Sequence, residues 1–273
     1  MSKCPCGFCH LHVHSEYSLL DGANRVKDMA KRAAELDMPA LAITDHGVMY
    51  GAIDHYLACK DVGIKPIIGV EAYMAPRKHT DKDSTLDSQK NTRHLTLWAK
   101  NKKGYENLVK LTSTAHLQGF YYKPRIDHEL LAQHSEGIIC GSACLGGEIP
   151  QLIMAKKLDE AQERAEMYRD MFGKENFFLE LMDHDLVGQS EVNDRMIDIH
   201  HKTGIPLICS NDAHYLKKTD EEMHKILVAI GTSSQIDSMA LHYGPNFYLK
   251  DKEEMWSKFK DNPSAMDNTM LIA

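Results

Sequence analysis

Residues 9–44 read CHLHVHSEYSLLDGANRVKDMAKRAAELDMPALAIT and contain one complete strand–helix–strand unit. Short apolar runs at 11–13 and 40–44 predict two strands, and the stretch between them, at 25–36, has the spacing of a helix. A helix that connects two strands in this way places them parallel in one sheet. This stretch therefore predicts an α/β fold.

The same unit recurs along the chain, and its clearest helix lies at 155–172, with apolar residues at spacings of three and four. Seven strands alternating with helices predict a parallel sheet that closes into a barrel, with an open doubly wound sheet as the alternative. The glycine-rich phosphate-binding motifs are missing from the strand-to-helix junctions, which argues against a nucleotide-binding sheet. Further runs lie at 66–70, 95–99, 137–140, 176–181 and 205–209, and further helical patterns at 50–61, 104–116, 189–202 and 219–230.

Two stretches depart from this repeat. Residues 77–92, RKHTDKDSTLDSQKNT, are almost entirely polar and predict a surface loop. Residues 231–273 are less periodic, so we expect one domain with a barrel core at about 8–230 and an appendage at about 231–273. The ending DNTMLIA resembles an interrupted helix, which suggests the N-terminal part of a longer protein.

The composition limits the classes of function. The chain has 273 residues, 43% of them hydrophobic, and a net charge of −7, so it has no general positive field to attract nucleic acid. A nucleic-acid substrate would have to be held locally. The sequence has neither a membrane-length apolar run nor a secretory signal, so we expect a cytoplasmic protein that does not enter a membrane.

Histidine and cysteine suggest metal binding. There are 16 histidines and an odd number of cysteines, seven, which favours free thiols or metal ligands over disulfides. Cys4, Cys6 and Cys9 crowd the start, but a second cysteine pair that would complete a zinc knuckle is missing nearby. We therefore interpret these three residues as a tail with free thiols.

Ligand-type side chains recur where strands end. His12 and His14 lie on one face of the first strand, because side chains alternate along a strand. His46 and Glu71 end or follow the next two strands, and Asp212 and His214 follow the last one. The carboxyl ends of parallel strands surround one mouth of a barrel, where active sites lie.

Three further candidates are weaker when each is judged alone. Asp21 follows the first strand, but taken alone it is more typical of a residue that starts a helix, and Cys144 lies in a glycine-rich loop and could be a buried thiol. His94 begins its strand instead of ending it, so its position alone predicts a core or surface residue. Nine mixed ligands would exceed the needs of one zinc ion, and two or three bridged metals, zinc, manganese or iron, would suit hydrolysis of a phosphate ester.

Six motifs together resemble the PHP (polymerase and histidinol phosphatase) domain, as found at the N-terminus of bacterial DNA polymerase III alpha subunits. They are HLHVHSEYSLLDG (10–22), ITDHG (43–47), GVEAY (69–73), HLTLWAKN (94–101), CGSACLGGE (140–148) and SNDAHY (210–215). The resemblance covers nearly the whole chain, including GFYYKPRID at 119–127, and implies a distorted (β/α)7 TIM-like barrel with up to three divalent metals. The ligand set that it implies is His12, His14, Asp21, His46, Glu71, His94, Cys144, Asp212 and His214.

The resemblance also implies a 3′–5′ exonuclease that removes mispaired nucleotides beside a polymerase. A hydroxide bridging the metals would attack the terminal phosphodiester, so a separate protein nucleophile is not expected. Lys123 and Arg125 could hold DNA phosphate and Tyr121 or Tyr122 could stack a base, although a turn with solvated cations explains them equally well. His10 would lie on the same face of the strand as His12, but it is outside the family's ligand motif and is not counted among the candidate ligands.

The partners implied are a DNA 3′ end, the polymerase remainder of the same chain and a separate proofreading subunit. Two alternatives remain open. One is a phosphomonoesterase for a small metabolite, of the histidinol phosphatase type. The other is a metal-stabilised structural or docking domain without activity, since a bound metal can serve stability alone.

Overall fold

The computed structural model describes residues 7–85, 91–236 and 243–273. Over these residues the chain alternates strands with helices, and six of the seven predicted runs form strands. The exception is the first run, which pairs through single bridges on each side. The strands are β1 (Ala40–Ile43), β2 (Lys65–Met74), β3 (Arg93–Ala99), β4 (Phe120–Tyr121), β5 (Lys123–Ile126), β6 (Ile138–Gly141), β7 (Phe177–Leu181) and β8 (Leu207–Cys209).

The helices cover the outside of the sheet. In α6, Ala161, Ala165, Tyr168 and Phe172 are buried as the spacing predicts, whereas Leu158 is exposed at the start of the helix. No described helix combines the length and the apolarity that crossing a membrane requires. The helices are α1 (Val26–Glu35), α2 (Ala52–Asp61), α3 (Lys102–Leu117), α4 (His128–Gln133), α5 (Glu148–Met154), α6 (Leu158–Phe172), α7 (Gln189–Thr203), α8 (Glu221–Gly231), α9 (Lys252–Phe259) and α10 (Pro263–Ile272).

The direction of β3 corrects the expectation of a uniformly parallel sheet. β1 and β2 pair in parallel, and so do β6, β7 and β8, but β3 runs antiparallel to both of its neighbours, β2 and β6. The connection from β2 to β3, at 75–92, contains no α-helix among its described residues. A strand that returns without a crossover helix pairs antiparallel with the strand before it.

The segment 10–14 closes the sheet between its first and last strands. His10 pairs with Leu41 of β1, and Val13 pairs with Ala213, just beyond β8. The amide of Thr44 donates to the carbonyl of Val13 at 2.8 Å on one side, and the amide of His14 donates to the carbonyl of Ala213 at 2.9 Å on the other. The α/β fold with a distorted barrel is therefore confirmed.

The inside of the barrel is apolar at one end. One side chain from each of several strands joins a buried cluster that includes Leu11, Trp98 and Phe178, and the indole N–H of Trp98 donates to the carbonyl of Leu11 at 2.8 Å. Ile272 of α10 packs into the same cluster. This packing leaves the opposite end of the barrel for polar side chains.

The C-terminal residues also contribute to the core. Met255 and Phe259 of α9 belong to the main hydrophobic cluster, and the hydroxyl of Thr269 in α10 accepts a hydrogen bond from the amide of Cys9 at 3.2 Å. Cys9 is therefore buried against α10, whereas Cys4 and Cys6 lie outside the described residues.

The polar stretch at 77–92 is a loop over most of its described residues, and residues 86–90 lie outside them. Arg125 holds this loop in place, because its guanidinium donates to the carbonyls of His79 at 3.1 Å and Asp81 at 2.6 Å.

Candidate metal centre

All nine ligand candidates meet at the polar end of the barrel. His12 and His14 extend from segment 10–14, His46 follows β1, Glu71 lies in β2, and Cys144 follows β6. Asp212 and His214 follow β8, and Asp21 lies in the turn after segment 10–14. The strand ends therefore converge, although β2 continues to Met74, so Glu71 lies within this strand and not directly after it as the sequence predicts.

His94 reaches the same mouth because β3 runs backwards. In an antiparallel strand the amino end lies at the edge where its parallel neighbours have their carboxyl ends. His94 accordingly pairs opposite Tyr73 near the end of β2 and forms a bridge with Gly147 in the loop after β6. Its position, which conflicts with an all-parallel barrel, is explained by the direction of the strand.

Glu71 is at the centre of the cluster. Its Oε1 lies 3.3 Å from Nε2 of His12 and 2.9 Å from Nδ1 of His94, and its Oε2 lies 2.5 Å from Nδ1 of His46. The thiol of Cys144 lies 3.6 Å from the same carboxylate. A fully buried carboxylate between three imidazoles could hold a divalent metal together with them.

The other two candidate carboxylates, Asp212 and Asp21, lie near different histidines of the cluster. Oδ1 of Asp212 lies 3.3 Å from Nε2 of His12 and 3.0 Å from Nε2 of His14, and Oδ2 of Asp21 lies 3.4 Å from Nε2 of His46. His214 stacks on His14 with ring centroids 4.2 Å apart. The ligand atoms include three groups, and inside each group the atoms lie within 4.8 Å of one another. The groups are His14, His46 and His214; His12, His14 and Glu71; and His46, Glu71 and His94.

The charges at the site depend strongly on one another. Burial alone would raise the pKa of Glu71, but the adjacent His94 and His46 lower it well below its ordinary value. Burial raises the pKa of the Cys144 thiol well above its ordinary value, and nearby Glu71 and Asp212 add to the shift. A cation at this point would favour the thiolate, because it would offset the negative charge of the carboxylates.

The chemistry of the donor set fits divalent metals. Buried polar atoms normally have hydrogen-bond partners, and several atoms of the candidate ligands, although close to one another, have no partner in hydrogen-bonding geometry. Coordination would satisfy these atoms, since imidazole nitrogens, carboxylate oxygens and a thiol together suit zinc, manganese or iron. The atoms are Nε2 of His12, His14 and His214, Nδ1 of His46, Oδ1 of Asp21, Oε2 of Glu71 and Oδ1 of Asp212.

The structure also places polar residues at the site that the sequence did not indicate. The hydroxyl of Tyr243 donates to Oδ2 of Asp21 at 2.9 Å, and its ring lies 4.4 Å from that of His214. Asp45 accepts from the amide of Ser15 at 2.6 Å and shapes the loop around Asp21. Tyr243 has no sequence signal, since it lies in the least periodic stretch, whereas a glutamate in the buried run 176–181, Glu180, could have been noticed.

The residues suggested for DNA contact differ in their exposure. Tyr122 is 58% exposed, and Nζ of Lys123 lies 3.4 Å from the hydroxyl of Tyr73, whose ring stacks on His46 at 6.0 Å. Arg125 is fully buried and also donates to the carbonyl of Gly119 at 3.1 Å. Its guanidinium therefore binds backbone carbonyls in the interior instead of substrate, which corrects the expectation from the sequence.

A family model and several curated proteins match this chain. Residues 10–184 match the family model of the PHP domain. The chain is 46% identical over 268 residues to the DNA polymerase III subunit alpha of Borreliella burgdorferi, covering 97% of this chain and 23% of that protein. It is 44% identical to the subunit of the same name from Treponema pallidum, with the same coverage. The chain thus spans about a quarter of the length of these relatives.

One solved structure supports the fold. A protein from Bifidobacterium adolescentis, provisionally named a metal-dependent phosphoesterase, superposes with a TM-score of 0.51 at 13% identity. The superposition covers 78% of this chain and 89% of that one. The two chains therefore share a fold although they have little sequence in common.

Proposed function

Because the chain belongs to the PHP domain family and is similar to the DNA polymerase III alpha subunits, we propose that it is the metal-dependent phosphoesterase domain of such a subunit. The activity proposed is a 3′–5′ exonuclease that removes nucleotides from a DNA 3′ end. The partners proposed are that DNA end, the polymerase remainder of the chain and a separate proofreading subunit. Two or three divalent ions, zinc, manganese or iron, are the proposed cofactors.

One observation carries the proposal. Nine side chains of ligand type lie around a single mouth with carboxylate and imidazole atoms 2.5–3.7 Å apart. We propose that all nine hold the metals. When bound, divalent ions at such a site polarise phosphoryl oxygens and lower the pKa of water.

The protein's own residues supply orientation and a local grip on DNA. Lys123 carries the positive charge beside Tyr73, next to the proposed ligand His46, and would pair with a phosphate of the strand. The ring of Tyr122 is exposed and would stack on a base. A local grip of this kind suits a chain whose net charge is −7.

A nuclease assay on the purified 273-residue chain tests the proposal. We expect Mn²⁺ or Zn²⁺ to support the stepwise release of nucleotides from the 3′ end of a 5′-labelled single-stranded oligonucleotide. His14→Ala should abolish this release. His10→Gln, on the same segment but bonded to the carbonyl of Lys250, is the matched control and should retain it.

Other outcomes would favour the alternatives. If the protein cleaves p-nitrophenyl phosphate but leaves the DNA uncleaved, the result would indicate a phosphomonoesterase of the histidinol phosphatase type. A melting temperature that falls on chelation, without hydrolysis of any substrate, would indicate a metal-stabilised docking domain. Equal release by the wild type and His14→Ala would contradict the proposed site.

A further inference from the structure

A buried glutamate lies beneath the candidate metal centre. All five residues of β7 are buried, and Glu180 is 3% exposed. Its neighbour two residues earlier, Phe178, belongs to the apolar cluster inside the barrel, and alternate residues of a strand share a face. Glu180 therefore points into the barrel, between the apolar end and the mouth.

Each oxygen of the Glu180 carboxylate accepts a hydrogen bond. Its Oε1 accepts from the amide of Ala143 at 2.8 Å, and its Oε2 accepts from the hydroxyl of Ser210 at 2.6 Å. The same Oε2 lies 3.2 Å from Nδ1 of His12. The strand beside it makes room, because a Cβ on Gly141 would lie 2.3 Å from Oε1.

We infer that Glu180 is a positioning residue, which fixes the tautomer and the ring orientation of His12 for metal binding. A carboxylate can only accept, so Nδ1 of His12 must carry a proton, and the lone pair of the neutral ring that binds a metal is then on Nε2. That Nε2 lies 3.3 Å from both Glu71 and Asp212, on the side of the proposed metals. Thr96, 3.4 Å from Nδ1, cannot fix the tautomer, because a hydroxyl can donate or accept.

The inference rests on the proposed metal centre and makes a sharp prediction for Glu180→Gln. The amide of Ala143 can only donate, so the oxygen of the new side chain must stay at the Oε1 position. Its NH₂ group would then occupy the Oε2 position and donate to Nδ1 of His12, since the hydroxyl of Ser210 can turn to accept. The proton of His12 would move to Nε2 and block coordination there.

Metal affinity and tautomer state together test the inference. We expect Glu180→Gln to weaken Zn²⁺ binding about 10- to 100-fold, the usual effect of losing such an outer partner, in a competition with a chromophoric chelator. Glu148→Gln is the matched control, because Glu148 also lies against an imidazole, 3.0 Å from Nε2 of His128, outside the ligand set. Its affinity should match that of the wild type.

Nitrogen NMR of the Zn²⁺-loaded wild type gives a reading that needs no variant. We expect a proton on Nδ1 of His12 and coordination through Nε2. Coordination through Nδ1, or unchanged affinity in a folded Glu180→Gln protein, would overturn the inference while leaving the metal centre intact. A wild type that binds no Zn²⁺ would instead overturn the proposed function itself.

Discussion

Two sets of buried histidines in this protein show how a ligand differs from a structural residue. His10, His55, His184 and His224 are as buried as His12, His14 and His214, so burial does not separate the two sets. Their partners do. Nε2 of each structural histidine donates to one backbone carbonyl. At the mouth, Nε2 of His12 and His14 faces carboxylate oxygens, and Nε2 of His214 has no hydrogen-bond partner. The four carbonyls belong to Lys250, Leu41, Asn211 and Asp21.

The structural histidines share one protonation state, whereas the histidines at the mouth differ from one another. Burial lowers the pKa of all four structural histidines to about 4, and they stay neutral. At the mouth, burial and the nearby His46 and His214 lower the pKa of His14 to about 3. Burial is outweighed at His12, where Asp212 and Glu180 raise the pKa well above its ordinary value. Such opposed shifts are typical of functional sites.

The largest expected effect comes from exchanging one histidine of each set for glutamine. His46→Gln should lower the metal-dependent nuclease rate at least about 1,000-fold, because it removes a proposed ligand. His55→Gln, whose amide can still donate to the carbonyl of Leu41, should retain the rate within about threefold. Steady-state rates at saturating Mn²⁺ measure both, and equal losses in the two variants would remove the distinction between the sets.

The next largest effect expected is a loss of stability when metal is removed from the mouth. With free Zn²⁺ at about 100 times its dissociation constant, binding adds about 2.7 kcal/mol to the free energy of unfolding, and chelation should remove it. Urea unfolding with and without chelator measures the difference. Chelation should lower the free energy of unfolding of the Glu71→Gln protein much less, because this variant lacks the central carboxylate that would hold the metal. An equal loss in that variant would place the stabilising metal elsewhere.

The pH dependence of the metal-free protein sharpens the comparison further. His55 has a pKa of about 4 when folded, against 6.5 as the ordinary value, so the unfolded chain binds more protons between these values. Its stabilising contribution is complete above pH 6.5 and is lost as the pH falls toward 4. His55→Gln should therefore lose about 1.5 kcal/mol less than the wild type between pH 6.5 and 5.0.

Urea unfolding in the presence of chelator at the two pH values measures this difference. His12 should act in the opposite direction, because its folded pKa is raised and its contribution is lost as the pH rises through that value. A His55→Gln protein with the same pH dependence as the wild type would show that His55 is not buried neutral.

The smallest effect expected is that of Tyr243→Phe, which removes the hydroxyl that donates to Asp21. The loss of one hydrogen bond to a proposed ligand should cost about 1 kcal/mol, or about fivefold in Mn²⁺ affinity. Tyr248→Phe is the control, since the hydroxyl of Tyr248 donates to Glu254 in the cap of α9. Isothermal titration should detect the change in the first variant and none in the second.

The sequence by itself determined the fold class and most of the candidate site. Alternation along a strand is local, so His12 and His14 could be placed on one face, and Asp212 and His214 could be placed just beyond a strand. The short apolar runs and the helix at 155–172 were readable for the same reason, because their periods involve only near neighbours.

Only the tertiary structure decided which groups meet. The antiparallel direction of β3, which brings His94 to the mouth, depends on how the chain returns from β2. Glu180 and Tyr243 touch the site through pairings between residues far apart in sequence. Arg125 has the charge expected of a residue that contacts DNA, but its guanidinium donates to three backbone carbonyls. Local patterns fix the face on which a side chain lies, but its partners are set by contacts that exist only once the chain has folded.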